Sequence, residues 1–159
     1  MPFGLRRFES ADFGALFEIE SDAFLKQYVG GASAKPREEW IAQCDSLPSD
    51  DVQFALEHIP SGALAGRVTL GHYRAPDVRE VQIILAKAFV GLSLGRTAFD
   101  LACNHAFSTL GAKSIVAVVD PAHDASLRLV AKVGLSEISP EVDGLGQTIK
   151  RVFALRRAA

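Results

Sequence analysis

The sequence predicts an α/β fold, a mixed sheet of about seven strands with four helices, and three features of the chain carry that prediction. Val52 to Ile59 and Ala63 to Leu70 are extended apolar runs separated by Pro60-Ser61-Gly62, so they should pair as an antiparallel hairpin. Between Gly95 and Gly111 the apolar residues Phe99, Ala102, Cys103, Ala106, Phe107 and Leu110 recur at helical spacing and stop at a glycine. On either side of that helix lie the extended runs Val78 to Ala86 and Ser114 to Val119, which a right-handed crossover makes parallel. An antiparallel first half of the sheet thus gives way to a parallel pair.

The remaining elements come in order. Pro2 to Glu9 reads as a strand, with Ser10 the expected N-cap of the helical segment after it. Phe13, Leu16, Phe17 and Phe24 mark a helical stripe. Gly30-Gly31-Ala32-Ser33-Ala34-Lys35-Pro36 interrupts it and should be a mobile loop, after which Arg37 to Leu47 forms a second helix with Pro36 near its first turn. Beyond the crossover, Asp120-Pro121 ends a strand. Ala125 to Val133 then makes a helix with Ser126, Leu129, Val130 and Val133 on one stripe and Gly134 as its stop. Leu135 to Ile138 and Thr148 to Leu155 close the chain as strands, and no repeat, coiled coil or low-complexity tract is evident.

A chain of 159 residues with 48% hydrophobic content suits one domain over 1–159. Seventeen basic against nineteen acidic side chains leave a formal charge of -2, so no dense basic face points to nucleic acid. Cys44 and Cys103 are far apart and form no CxxC pair, which argues against a zinc site and against a secreted disulfide framework. A cytoplasmic location is expected. No apolar run approaches the roughly 18 residues that span a bilayer, and no charged region precedes a long apolar stretch at the N-terminus, so neither a membrane nor a targeting segment is expected. Monomer and homodimer both stay open.

Chemistry concentrates between Glu80 and Thr97. An apolar strand runs into Val90-Gly91-Leu92-Ser93-Leu94-Gly95-Arg96-Thr97, a small-residue turn at a helix start. Free backbone N–H groups there point the same way and the helix dipole adds partial positive charge, which suits a pyrophosphate. An ordinary strand-to-helix connection is the alternative, since a short glycine motif alone favours it.

Two blocks resemble the GNAT superfamily of N-acetyltransferases. Glu80-Val81-Gln82-Ile83-Ile84-Leu85 matches the family's E-L-G-Y-x-L strand, with Gly91 and Gly95 at family glycine positions. The run from His123 to Leu135 is similar to the family's N-x-x-S-x-R-x-x-x-K-x-G-F helix, with Ser126, Arg128, Lys132 and Gly134 in step. The opening, Leu5 to Phe8 and Tyr28 to Gly31, resembles the ribosomal-protein N-alpha-acetyltransferase branch. The chain departs from the pattern at Val90, where Arg or Gln is usual, at Ser93 in place of the first glycine, at His123 in place of Asn, and at Val130, where many members have Tyr. The resemblance implies a GNAT-like acyl-CoA N-acyltransferase fold. It also implies an enzyme that moves an acetyl group from acetyl-CoA to a primary amine by direct attack, without a metal. The acceptor would be a protein N-terminal alpha-amine or a small-molecule amine. A catalytically weak acyl-CoA-binding or partner-binding domain on the same scaffold is the rival.

By the same resemblance Glu80 is the general base. An alkylammonium has a pKa near ~10 and an alpha-amine near ~8, so the nucleophile must lose a proton before it attacks a thioester. Strand alternation puts Glu80 with Gln82 and Ile84 on a partly apolar face, suited to raising a carboxyl pKa; a solvated charge at a strand end is the plainer alternative. Ile83, Ile84 and Leu85 would lie beside the thioester, with a backbone N–H near Ile84 or Leu85 polarising its carbonyl. Val90, Gly91, Leu92, Ser93, Leu94, Gly95, Arg96 and Thr97 would hold the pyrophosphate. Acetyl-CoA would occupy the splay between Val78 to Ala86 and Ser114 to Val119. The acceptor would enter beside the first two helices and the Gly144-Leu145-Gly146 loop.

Ser126 would meet the departing thiolate, or its hydroxyl bonds back to a helical carbonyl. His123 contacts CoA or caps its helix, and the cap is preferred. His58, His72 and His105 read as surface residues and Cys103 as a core thiol. No Ser-His-Asp or metal-ligand spacing stands out.

Overall fold

The computed structural model describes residues 2–44, 52–91 and 93–158. Seven strands form one mixed sheet in the order β1-β2-β3-β4-β5-β7-β6. The strands are β1 (Phe3–Arg6), β2 (Gln53–His58), β3 (Ala63–Tyr73), β4 (Ala75–Leu85), β5 (Ser114–Val119), β6 (Ser136–Val142) and β7 (Thr148–Arg156). The α-helices among the described residues are α1 (Phe13–Glu20), α2 (Ala23–Lys26), α3 (Arg37–Ala42), α4 (Leu94–Ser108) and α5 (Asp124–Lys132). Contacts group the chain into two compact units, Met1–Thr69 with Ile83–Ala102, and Leu70–Gln82 with Cys103–Ala159.

In the first unit β1, β2 and β3 pair antiparallel, and the expected hairpin closes through Gly62, whose φ of +71° is left-handed backbone that glycine adopts without strain. Leu16, Ile19, Ala55, Leu64 and Ile84 form its core, with Phe8, Leu25, Val29, Trp40 and Ala86 packed against it. Glu20 accepts ion pairs from Lys26 and Arg67, each at 3.0 Å, which accounts for a lysine buried under α1.

The start of the first helix differs from expectation. Ser10 is not the N-cap. Glu9 holds that position ahead of a 3-10 turn over Ser10–Asp12, and its N–H donates to Asp12 Oδ2 at 2.8 Å. Asp12 wins because its carboxylate also takes a two-pronged hydrogen bond from Arg6, at 2.7 and 2.8 Å, which ties β1 to the turn. The apolar stripe does not run on to Phe24 either. Asp22 accepts from Leu25 N at 2.9 Å and starts α2 as a separate helix, leaving Phe24 70% exposed. That break makes five α-helices instead of four among the described residues. Helix α3 begins directly after Pro36; positions 45 to 47 of the expected helix lie outside the described residues.

In the second unit β4 and β5 are parallel, from Val78↔Ser114 to Glu80↔Val116. Strand β5 continues to Val119 with β7 antiparallel along its length, and β6 pairs β7 on the far side. Ile115, Val116 and Val152 are buried at the centre. Helix α5 buries Val130 and stops at Gly134, whose φ is +83°. Cys103 is buried and in no disulfide, as expected of a core position. Strand β3 runs on through Tyr73, past the expected end at Leu70, and His72 lies exposed within it, a surface residue as expected.

Candidate active site

In the first unit the candidate residues lie at the end of β4. Gly66 on β3 sits against this end so closely that a Cβ there would fall 2.6 Å from Ile84 O, while Ala86 N–H donates to Ala65 O at 2.7 Å. Both Ile84 and Ala86 therefore turn their main-chain groups toward β3. Alternation leaves the N–H and C=O of Leu85 on the other edge of β4. Of the two backbone donors expected from sequence, Leu85 is the one not directed at β3.

Beyond β4 a 3-10 turn over Lys87–Phe89 leads to Val90, which is extended and 45% exposed. Gly91 comes next with φ +83°, and Ser93 has φ +58°. Ser93 therefore occupies the left-handed conformation natural to the glycine it replaces, at a steric cost. Leu92 lies outside the described residues. Helix α4 starts at Leu94, whose buried side chain anchors the turn. Gly95, Arg96 and Thr97 form its first turn, where backbone N–H groups have no partner within a helix. Arg96 is exposed and stands 3.9 Å from Asp100, one turn on. The turn as built fits an anionic group through its main chain, with Arg96 the side-chain cation beside it.

The second unit carries its own candidate group, made of side chains. Glu80 is half-buried on β4, where the β4–β5 register ends. Burial holds its carboxyl above the ordinary range; the Glu141 carboxylate pushes it further and Lys150 pulls it back. Tyr73 Oη donates to Glu141 Oε2 at 2.9 Å. Burial raises the Tyr73 phenol as well, helped by Glu141 and Glu80 and opposed by Arg74. Lys150 lies 3.7 Å from Asp120 on the neighbouring strand end.

At the start of α5, His123 takes the N-cap position but its side chain makes no capping bond. Instead its Nε2 is 3.3 Å from Ser126 Oγ. The preferred cap role is thus corrected, and the Ser126 hydroxyl faces an imidazole instead of a helical carbonyl. The ring displaces both because Ser126 lies three residues on, one turn above it. Burial lowers the His123 pKa, which Asp120 and Asp124 counter and Lys150 reinforces.

Tyr73, Glu141 and Lys150 were not foreseen. Tyr73 and Glu141 are 68 residues apart, and only sheet register unites them. The His123–Ser126 pair had a signal in its i, i+3 spacing at a helix start. His58 Nδ1 lies 2.7 Å from Ser61 Oγ in the β2–β3 turn and belongs to neither candidate group.

Solved structures share this fold. An acetyltransferase of the GNAT family from Bacillus anthracis superposes with a TM-score of 0.81 at 17% identity, covering 98% of this chain and 95% of its own. Spermidine N-acetyltransferase from Vibrio cholerae, in complex with CoA and spermine, gives 0.79 at 20% identity over 96% and 93%. A putative phosphinothricin N-acetyltransferase gives 0.75 at 21% identity over 99% of both chains. At such identities the likeness concerns the fold alone. No curated protein matches the sequence. The sequence model of the acetyltransferase (GNAT) domain, however, matches residues 3–136, most of the chain. The protein therefore belongs to the GNAT acetyltransferase family and is an acetyltransferase.

Proposed function

We propose that the protein, acting as one domain over 1–159, transfers an acetyl group from acetyl-CoA to a primary amine by direct attack. The observation that carries this reading is Glu80: a half-buried carboxylate with raised proton affinity, on the strand whose sequence matches the family's catalytic strand. Acetyl-CoA supplies the activated acyl carbon as a thioester. The main-chain N–H groups from Gly91 to Thr97 hold its pyrophosphate. The N–H of Leu85 polarises the carbonyl, since it points away from β3. Glu80 takes the proton that the ammonium must lose, directly or through water. The amine nitrogen then bonds the acyl carbon, the carbon–sulfur bond breaks, and the Ser126 hydroxyl, backed by His123, hydrogen-bonds the departing thiolate.

The acceptor is a protein N-terminal alpha-amine or a small amine. The opening resemblance to the ribosomal-protein branch supports the first. The spermidine and phosphinothricin acetyltransferases among the structural neighbours support the second. Cys44 and Cys103, neither of them in a disulfide, agree with a cytoplasmic setting. Calorimetric titration with acetyl-CoA tests the first step, and saturable binding is expected. CoA release with spermidine, set against release with short peptides bearing free N-termini, then separates the acceptor classes. Absence of binding at millimolar acetyl-CoA would overturn the reading.

A further inference from the structure

The bond between Tyr73 and Glu141 joins strands that the sheet order keeps apart. Strands β4, β5 and β7 stand between β3 and β6, so on a flat sheet four steps of ~4.8 Å would separate the two backbones by about 19 Å. A tyrosine and a glutamate do not reach that far end to end. The 2.9 Å bond therefore needs the sheet to curl toward the side on which the two side chains meet.

Register identifies that side. Glu141 stands opposite Lys150 on β7. Lys150 shares a face with Val152 and Ala154, which stand opposite Val118 and Val116 on β5. Val116 in turn stands opposite Glu80. Opposed residues, and alternate residues along a strand, point the same way. Glu80, Lys150 and Glu141 thus share one face, and the Tyr73–Glu141 bond closes over it.

We propose that Glu141, held by Tyr73, is a positioning residue for Glu80: it fixes the charged surroundings in which Glu80 takes the acceptor's proton. The proposal rests on Glu80 being the base. The β6–β7 register shifts on both sides of Glu141, an irregularity of the kind that re-aims a side chain. An unrestrained glutamate on such a strand would turn to water, and the phenol removes that freedom. With Glu141 in place, proton loss from Glu80 puts two carboxylates close together, which disfavours ionisation and makes Glu80 the stronger base.

The groups facing Glu80 are Glu141 from β6, Lys150 from β7 and Tyr73 from β3, with Arg74 beside Tyr73. Lys150 offsets Glu141 only in part, and its charge is shared with Asp120 at 3.7 Å. Arg79, the neighbour on β4, points to the opposite face, where its Nη1 donates to Leu70 O at 2.8 Å.

The test is a carbon-13 carboxyl titration of Glu80 in the full chain without ligand, the resonance being assigned by its loss in Glu80→Gln. Glu141→Gln keeps the size and an acceptor for Tyr73 but removes the charge. Its Glu80 midpoint is expected to move to lower pH, toward the value that burial alone gives. Tyr73→Phe should move it the same way by less. An unchanged midpoint in either variant overturns the proposal. Turnover of Glu80→Gln judges the base itself: if turnover persists while the midpoint still shifts in Glu141→Gln, the base reading fails and the coupling stands.

Discussion

The start of α4 would offer a ligand its main chain, whereas the face around Glu80 would offer side chains gathered from β3, β4, β6 and β7. In the turn, Leu94 is buried and Val90 apolar, so nearly any residue that permits the backbone path would serve. Around Glu80 the identity of each group matters, because removing one charge alters the proton affinity of the next. Contiguous backbone devices tolerate sequence drift, as the serine at position 93 illustrates. Dispersed side-chain devices depend on the register of the whole sheet. Substitutions in the two regions should therefore fail differently, the first in affinity and the second in turnover.

The largest expected effect is on the turn. Gly95→Glu sets a carboxylate in the first turn of α4, where it opposes a phosphate while favouring the helix dipole. The fold should survive, by circular dichroism, and calorimetry should find acetyl-CoA binding lost. A folded variant with unchanged affinity would remove the pyrophosphate from this turn and blur the contrast between the regions.

Next comes the face. Glu80→Gln should leave acetyl-CoA affinity nearly constant and lower turnover by about 10²-fold or more near neutral pH. Raising the pH should restore part of it, as more amine is already neutral. The same change should not cost stability. Burial, then Glu141, hold the folded-state carboxyl above its unfolded value, so folding binds the proton more tightly than the unfolded chain does. The stability this contributes is present at acid pH and fades as pH rises through the folded-state value. At neutral pH the ionised Glu80 is therefore a net cost, and Glu80→Gln should melt at or above the wild-type temperature, the advantage shrinking on acidification. Wild-type turnover across the pH range would make Glu80 a strand residue only.

The comparison also explains what could be read from the chain. Helix α4, the hairpin at Gly62 and the β4–α4–β5 crossover arise from local periodicity and punctuation, and they form as expected. The connection from β4 to the start of α4 was legible because its signal is contiguous. The first helix misled because Phe24 keeps helical spacing while Asp22, two residues earlier, caps a new helix. Tyr73 and Glu141 were beyond reach, since nothing along the chain says that β3 and β6 curl together. His123 was placed correctly and given the wrong partner, because its ring could turn to the backbone or to Ser126.

A smaller effect should sharpen the view of the turn. Val90 is exposed and extended at its entrance, without a polar atom in its side chain. Val90→Arg adds a cation that reaches a nearby phosphate, and at an exposed site that should tighten acetyl-CoA by about threefold to tenfold. The gain should diminish with added salt. Unchanged affinity would mean that position 90 faces away from the phosphates.

The smallest effect concerns the backbone itself. Ser93 stands at φ +58°, where a side chain crowds its own carbonyl at a cost of about 1 kcal/mol or somewhat more. Ser93→Gly removes that crowding but gives the unfolded chain more freedom, so the net gain should be about 0.5–1 kcal/mol, or roughly 1–4 °C in Tm for a chain of this size. Gly91, at φ +83°, is the control: Gly91→Ala should lower Tm by a similar amount, since alanine there meets the strain that glycine avoids. Acetyl-CoA affinity should change by less than about twofold in Ser93→Gly, because the N–H groups keep their directions and the lost hydroxyl is only one donor among several. A Tm that falls instead would show the Ser93 hydroxyl bonding locally and holding the turn. The turn would then depend on a particular side chain, as the face around Glu80 does.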